Sequence, residues 1–233
     1  MARSTDILPT GHLLSWYRVD GVLGTGGFGI TYLAHDTHLD QQVAIKEYFP
    51  SDFAERQDDT TVLPRSDEHD ELYEWGLKSF MSEAKTMARF RHQSIVRVLS
   101  VFPEHGTAYM VMEYERGQSL AQALRGAKTW DESALMRLVE AISGALREIH
   151  EAGFIHRDIK PDNIYLRDDG TPVLLDFGSA RQAVGTETQA LTALVSPGYA
   201  PFEQYDGGGD SEQKQGPWTD LYALGAVLYR AVT

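Results

Sequence analysis

Cysteine is absent from the 233-residue chain. That excludes disulfide bridges and thiolate metal sites, and it is consistent with a reducing compartment. Also missing is any run approaching the ~18 consecutive apolar residues of a membrane-crossing helix. The N-terminal MARSTDILPTG has no apolar stretch of signal-peptide length, so the chain reads as cytoplasmic, with no membrane segment. Basic residues are scarce: 21 Lys and Arg stand against 34 Asp and Glu, a formal net charge of −13. Such a balance disfavours nucleic acid and anionic membranes as partners, because phosphate backbones need a basic footprint. A local basic pocket for a phosphorylated ligand is still compatible with it. The chain has no internal repeat and no long low-complexity tract.

What is there is a soluble globular composition, 42% hydrophobic and 24% charged, with length enough for a sizeable core. Residues 1–16 read as a polar lead-in. YRVDGVL, ITYLAHD and QQVAIKEY are rich in β-branched and aromatic residues and predict an antiparallel sheet. Residues 51–74 carry nine Asp and Glu against Arg56 and Arg65, and read as a solvated acidic insertion, with a docking surface for a basic partner as the alternative. WGLKSFMSEAKTMARF has helical spacing. SIVRVLSVFPEHGTAYMVMEY predicts two strands about a His-Gly turn, and GQSL begins a helical region. DESALMRLVEAISGALREIHEAG predicts a helix capped by Asp131 and closed by Gly153, and a last helix starts near Trp218–Asp220. The pattern is α+β: a strand-rich part over 17–113, holding the insertion, and a helix-rich part over 114–233. A ligand is expected between two such lobes.

The chemistry is concentrated in a few motifs. LGTGGFG places Gly24, Gly26 and Gly29 between two strands, where backbone can approach phosphate oxygens. A glycine-rich hairpin alone is as well explained by a tight turn. Because a strand follows, it is not a dinucleotide-binding fingerprint. Lys46 ends an apolar strand in VAIK. It either reaches solvent or serves as a point charge for a nucleotide's phosphates. A lysine in a cleft needs a counter-charge, and Glu83, among Phe80, Ala84 and Met87, is the candidate; an exposed helix glutamate is the bland alternative. HRDIKPDN supplies Asp158 to take a proton from a hydroxyl, Lys160 to offset phosphoryl charge and Asn163 as an oxygen ligand for Mg²⁺. LLDFG then places a hard carboxylate, Asp176, at a strand end.

Taken in chain order, these motifs resemble the eukaryotic-type (Hanks-type) serine/threonine protein kinases. The resemblance covers roughly 17–233, and IKEYFP and APFEQY look most like bacterial members. It implies a two-lobe fold: an antiparallel sheet plus one helix in the N-lobe, and a mainly helical C-lobe. It implies ATP contacts from Leu23, Gly24, Thr25, Gly26, Gly27, Phe28, Gly29, Ile30, Thr31, Ala44, Lys46, Met112, Glu113 and Glu115. It further implies a Lys46–Glu83 pair, Asp158 as catalytic base, Lys160 beside it, and Asn163 and Asp176 holding Mg²⁺, with Mn²⁺ as an alternative. Ser196 stands where such enzymes carry a hydroxyl that contacts the lysine and aspartate of the catalytic loop. This, with Lys160 itself, favours Ser/Thr over Tyr acceptors in a protein substrate. Arg157 would pair with an activation-segment phosphate, for which Thr186, Thr188 and Thr192 are candidates, Thr188 and Thr192 foremost. Ala200–Glu203 resembles the motif that closes that segment, and Asp220 the carboxylate that braces the catalytic loop.

Three features depart from the family pattern. Thr31 replaces the usual valine. The interval from Lys46 to Glu83 is longer than usual by about one insertion, with Glu71 or Glu74 as fallback partners. The C-lobe is expected to be incomplete at Thr233, so that a partner or further segment would cover an apolar face including Trp218, Leu221, Leu224, Val227 and Leu228. A nucleotide-binding pseudokinase or scaffold is the alternative function, although Lys46, Asp158 and Asp176 are all present. A small-molecule phosphotransferase on a related fold and a purely structural interaction domain are more distant rivals.

Overall fold

The computed structural model describes residues 6–58, 60–126, 130–176, 196–205 and 215–233, and the backbone of 181–182. The chain forms two compact units, Met1–Arg89 with Arg97–Tyr114, and Phe90–Val96 with Glu115–Thr233. The short 90–96 segment thus groups with the second unit, ahead of the boundary expected at 113/114.

The first unit contains β1 (Leu13–Leu14), β2 (Tyr17–Thr25), β3 (Gly29–Asp36), β4 (Gln41–Tyr48), β5 (Ala54–Arg56), β6 (Val62–Pro64), α1 (Asp70–Met87), β7 (Val98–Glu104) and β8 (Thr107–Glu113). Six strands form one antiparallel sheet in the order β1-β2-β3-β4-β8-β7. Register shifts between Val19 and Gly21 and between Val22 and Gly24 bend β2 against β3, as bulges do.

Strand β4 is paired on both sides. Lys46 lies opposite Thr31 on β3 and Met110 on β8. Side chains alternate along a strand, so Ala44, Lys46 and Tyr48 share one face and Val43, Ile45 and Glu47 the other. Helix α1 packs on the Lys46 face. The Tyr48 ring sits 5.4 Å from that of Tyr73 and 5.9 Å from that of Phe80. Gly76 is required there, since a Cβ would lie 2.1 Å from the Tyr48 hydroxyl.

Two sequence expectations are corrected here. The 1–16 segment is not merely a lead-in: Asp6, Leu8 and Leu14 are buried, and β1 pairs with β2. Leu8 and Leu14 supply apolar cover, and the Leu8 N–H donates to the Tyr32 hydroxyl at 3.3 Å. Nor is 51–74 a purely solvated insertion. It folds into the β5–β6 hairpin, with Ala54 and Val62 buried, and its last residues, from Asp70, already belong to α1. Counting charges missed this because the decisive residue is a cation: Arg56 buries its guanidinium against Glu47 at 2.6 Å.

The second unit contains β9 (Gly117–Ser119), α2 (Leu120–Gly126), α3 (Glu132–Glu151), β10 (Phe154–Ile155), β11 (Ile164–Arg167), β12 (Pro172–Leu174), β13 (Arg181–Gln182), α4 (Phe202–Tyr205) and α5 (Pro217–Val232). GQSL therefore opens with a strand. Gly117, at φ +142°, approaches β11 so closely that a Cβ would lie 1.9 Å from the Leu166 carbonyl oxygen. Helix α3 forms because Leu138, Ile142, Ala145, Leu146 and Ile149 recur on one buried stripe. Each large aliphatic member contributes roughly 1.5–3 kcal/mol by burial. Asp131 caps it, accepting the Ala134 N–H at 2.7 Å. Of the apolar residues expected to be uncovered on α5, Leu224 and Val227 are buried, while Trp218 and Leu221 are exposed. Among the described residues, no helix is long and apolar enough to cross a membrane.

Candidate active site

The residues of the HRDIKPDN stretch, 156–163, lie between β10 and β11. Asp158 Oδ2 accepts from Lys160 Nζ at 2.8 Å and from Asn163 Nδ2 at 2.7 Å. Its Oδ1 accepts from Ser196 Oγ at 2.6 Å, and Lys160 Nζ also donates to the Ser196 Oγ at 3.1 Å. Asp158, Lys160, Asn163 and Ser196 are thereby brought together, with Ser196 contributed from 38 residues further along the chain.

The amide of Asn163 is oriented by these contacts. Its nitrogen donates to both the carboxylate and the main-chain carbonyl of Asp158, the latter at 2.9 Å. Its Oδ1 is thereby left as the face able to ligate a hard cation. The Leu175 N–H donates to the Asn163 carbonyl at 3.1 Å, which fixes the chain one residue before the half-buried Asp176. An amide oxygen and a carboxylate of this kind fit a divalent cation with oxygen preference.

A buried carboxylate braces the loop from below. Asp220, on α5, is fully buried and accepts from the His156 N–H at 2.9 Å and the Arg157 N–H at 2.7 Å. His150, on α3, donates its Nε2–H to the same group at 2.7 Å. Arg157 adopts φ +68°, a left-handed conformation that non-glycine residues rarely hold without support. The Gln204 side-chain amide donates to the Arg157 carbonyl at 2.8 Å. Burial pushes the His156 imidazole below its usual range against the attraction of Asp220, Asp158 and Asp176. The neutral ring accepts the Asp158 N–H on Nδ1 at 3.3 Å.

In the first unit, Gly26 N–H donates to the Gly29 carbonyl at 2.8 Å, closing the glycine loop. Gly29 is fixed by the sheet, since a Cβ would lie 2.5 Å from the Glu47 carbonyl oxygen. A Cβ on Gly24 or Gly27 would meet nothing within 4 Å. Those two glycines are not required by packing and leave backbone exposed. Leu23 and Thr25 are exposed, Phe28 and Thr31 half-buried, Ile30, Ala44 and Met112 buried. Glu83 is half-buried on the α1 face that also carries Gly76, Phe80 and Met87, the face turned to Tyr48. Of the fallback partners, Glu71 is exposed and Glu74 pairs with Lys78 at 3.0 Å on the surface. The Glu113 N–H donates to the Arg97 carbonyl at 2.9 Å. Glu115 pairs its carboxylate with Arg167 at 2.6 and 2.7 Å. Thr186, Thr188 and Thr192 lie outside the described residues, as does the Phe-Gly that follows Asp176.

The protein kinase domain family matches residues 17–233. The chain belongs to the protein kinase family. Serine/threonine-protein kinase C of Synechocystis sp. is 34% identical over 97% of this chain and 41% of its own length. Serine/threonine-protein kinase PknK of Mycobacterium tuberculosis is 34% identical over 91% of this chain and 17% of its own length. A solved structure, the PpkA-294 apo form, is 40% identical, covers 96% of this chain and 78% of its own, and superposes with a TM-score of 0.83. The chain is thus a protein kinase domain with the two-lobe fold, of the Hanks type found in bacteria, the first unit being its N-lobe and the second its C-lobe. It spans less than half the length of these curated relatives. Family membership implies ATP and a divalent cation as reaction partners.

Sequence reasoning missed several residues that the fold draws into buried polar contacts. His150 carries no local signal beyond its place in the last turn of α3. Gln204 lies one residue past the Ala200–Glu203 motif, whose Glu203 carboxylate accepts the Thr219 hydroxyl at 3.0 Å. Glu47 and Arg56 are ordinary charges until the sheet buries them.

Proposed function

We propose that this kinase transfers the γ-phosphoryl group of Mg-ATP to serine or threonine hydroxyls of a protein substrate. The observation that carries the reading is the Asp158–Lys160–Asn163–Ser196 cluster. A carboxylate held by an amine, an amide and a hydroxyl is aimed, ready to orient an acceptor hydroxyl and take its proton. Lys160 then faces the transferred group and offsets its charge. Ser196 ties the segment before Ala200–Glu203 to the base, so that acceptor binding and base position are set together. In the N-lobe, Lys46 holds the α- and β-phosphates, Glu83 orients that amine, and Gly24–Gly29 cover the phosphates with backbone N–H groups. Asn163 Oδ1 and the Asp176 carboxylate would hold Mg²⁺, which when bound offsets charge on the triphosphate oxygens. Rate enhancement comes from positioning and electrostatics more than from covalent chemistry. A phosphate on Thr188 or Thr192 would pair with Arg157 and regulate the kinase through its activation segment.

Incubation with MgATP and a casein-like acceptor, followed by mass spectrometry, tests the reading. Phosphoserine or phosphothreonine should form, and Asp158→Asn should abolish transfer while nucleotide binding persists. Unchanged turnover in Asp158→Asn overturns the assignment of the base. Mg-dependent nucleotide binding with no transfer by the unaltered chain would mark a pseudokinase instead.

A further inference from the structure

Glu47 follows Lys46 directly, and its fully buried side chain lies on the opposite face of β4. Three donors converge on its carboxylate: the Tyr32 and Tyr109 hydroxyls, each at 2.8 Å, and Arg56 Nη2 at 2.6 Å. Tyr32 belongs to β3 and Tyr109 to β8, the two strands that flank β4. On the other face, the ladder partners of Lys46 are Thr31 and Met110, the chain neighbours of those same tyrosines. A three-strand clamp therefore sits directly behind the Thr31–Lys46–Met110 row.

Arg56 completes the clamp from the β5–β6 hairpin. Its side chain is 4% exposed. Nε donates to the Asp6 carbonyl at 2.8 Å and Nη1 to the Thr60 carbonyl at 2.9 Å. The guanidinium carbon lies 5.4 Å from the centre of the Phe49 ring. A planar fork satisfied on three nitrogens is rigid where an ammonium is not. Burial beside Glu47 raises the pKa of both tyrosines, so they remain donors. Arg56 is thus the cation set against the Glu47 carboxylate in a low-dielectric interior.

We propose that Arg56 is a positioning residue for phosphoryl transfer. Acting through Glu47, it locks β3, β4 and β8 in the register that aims Lys46 at the nucleotide. The acidic insertion then has a use: it delivers this one cation to the back of the sheet. The inference rests on Lys46 being the lysine that holds ATP.

The test compares the KM for ATP, the KM for an acceptor peptide and kcat in the unaltered chain, Arg56→Gln, Arg56→Lys and the double variant Glu47→Gln/Arg56→Gln, with Lys46→Met as reference. Every variant that folds is assayed at a temperature where circular dichroism shows it folded. Arg56→Gln should raise the KM for ATP by about tenfold and leave the peptide KM unchanged, since misplacing a binding group weakens the interaction it makes. Arg56→Lys, which keeps the charge without the fork, should fall between. The double variant buries no unpaired charge, so it reads out positioning even if Arg56→Gln fails to fold, and its KM for ATP should stay raised. A KM for ATP within about twofold of the unaltered chain in the folded variants would reduce Arg56 to a scaffold residue and overturn the proposal. If Lys46→Met retains normal ATP kinetics, the reading of Lys46 fails first, whatever Arg56 does.

Discussion

Replacing Asp220 by Asn probes how the C-lobe holds its catalytic loop. The change is isosteric and removes one charge. The native carboxylate accepts from the His156 N–H at 2.9 Å, the Arg157 N–H at 2.7 Å and His150 Nε2 at 2.7 Å, with no exposure to solvent. An Asn side chain has one oxygen and one NH₂, so one side of it must face a donor with a donor. Weakening charge-assisted bonds worth about 1.5–3 kcal/mol each and leaving a buried N–H unmet at about 1–3 kcal/mol gives a loss of roughly 3–5 kcal/mol. That is a large fraction of the ~5–15 kcal/mol that keeps a domain folded. For a chain of this size it lowers Tm by about 10 °C. A second consequence is local. Arg157 sits at φ +68°, which costs of order 1–3 kcal/mol to maintain. With its N–H released, the backbone relaxes and Asp158 moves with it. A displacement of about 1 Å at a catalytic group costs on the order of 100-fold in rate. Urea denaturation gives the stability change, and peptide phosphorylation well below Tm gives kcat. If Asp220→Asn unfolds within about 1 kcal/mol of the unaltered chain and turns over within about threefold, the bracing role assigned here is wrong.

Three further outcomes are expected. Gly29→Ala should lose roughly 1–3 kcal/mol because its Cβ would lie 2.5 Å from the Glu47 carbonyl oxygen, whereas Gly24→Ala, with nothing within 4 Å, should melt almost unchanged; equal melting temperatures would show that the sheet tolerates the close approach. Ser196→Ala removes the hydroxyl donating to Asp158 at 2.6 Å and should lower kcat by about tenfold, with Ser196→Thr restoring most of it; an unaffected Ser196→Ala in the peptide assay counts against a shared base–acceptor geometry. The folded-state pKa of His156 lies below its ordinary 6.5 because of burial, and that of His12 is lowered for the same leading reason. The unfolded chain therefore binds more protons. The stability that these groups contribute is complete above about pH 6.5 and is lost as pH falls below it. Urea midpoints should drop from pH 7.5 to pH 5.5, less so in His156→Asn, and a flat profile would refute the burial argument.

How far the sequence could be read follows from which forces are local. Apart from β9 and the β5–β6 hairpin, the main strand and helix identities in both lobes follow from hydrophobic period, and Asp131 and Gly153 mark the ends of α3 by local capping rules. The loop from His156 to Asn163 is legible because its bonds are short-range: Lys160 and Asn163 reach Asp158 within five residues. Its meeting with Ser196 is legible through family resemblance and not through any local rule. The β5–β6 hairpin was illegible for a physical reason. A charge count registers an acidic segment, whereas Arg56 pairs with Glu47 only once Tyr32 and Tyr109 have been stacked beside it by strand register. The same holds for His150 and Asp220, 70 residues apart, and for the burial of Leu8 and Leu14. Residue types and spacing alone determined the family, the lobe order and the chemistry available. Tertiary structure alone decided which charges leave water, because desolvation depends on neighbours that folding brings from distant parts of the chain.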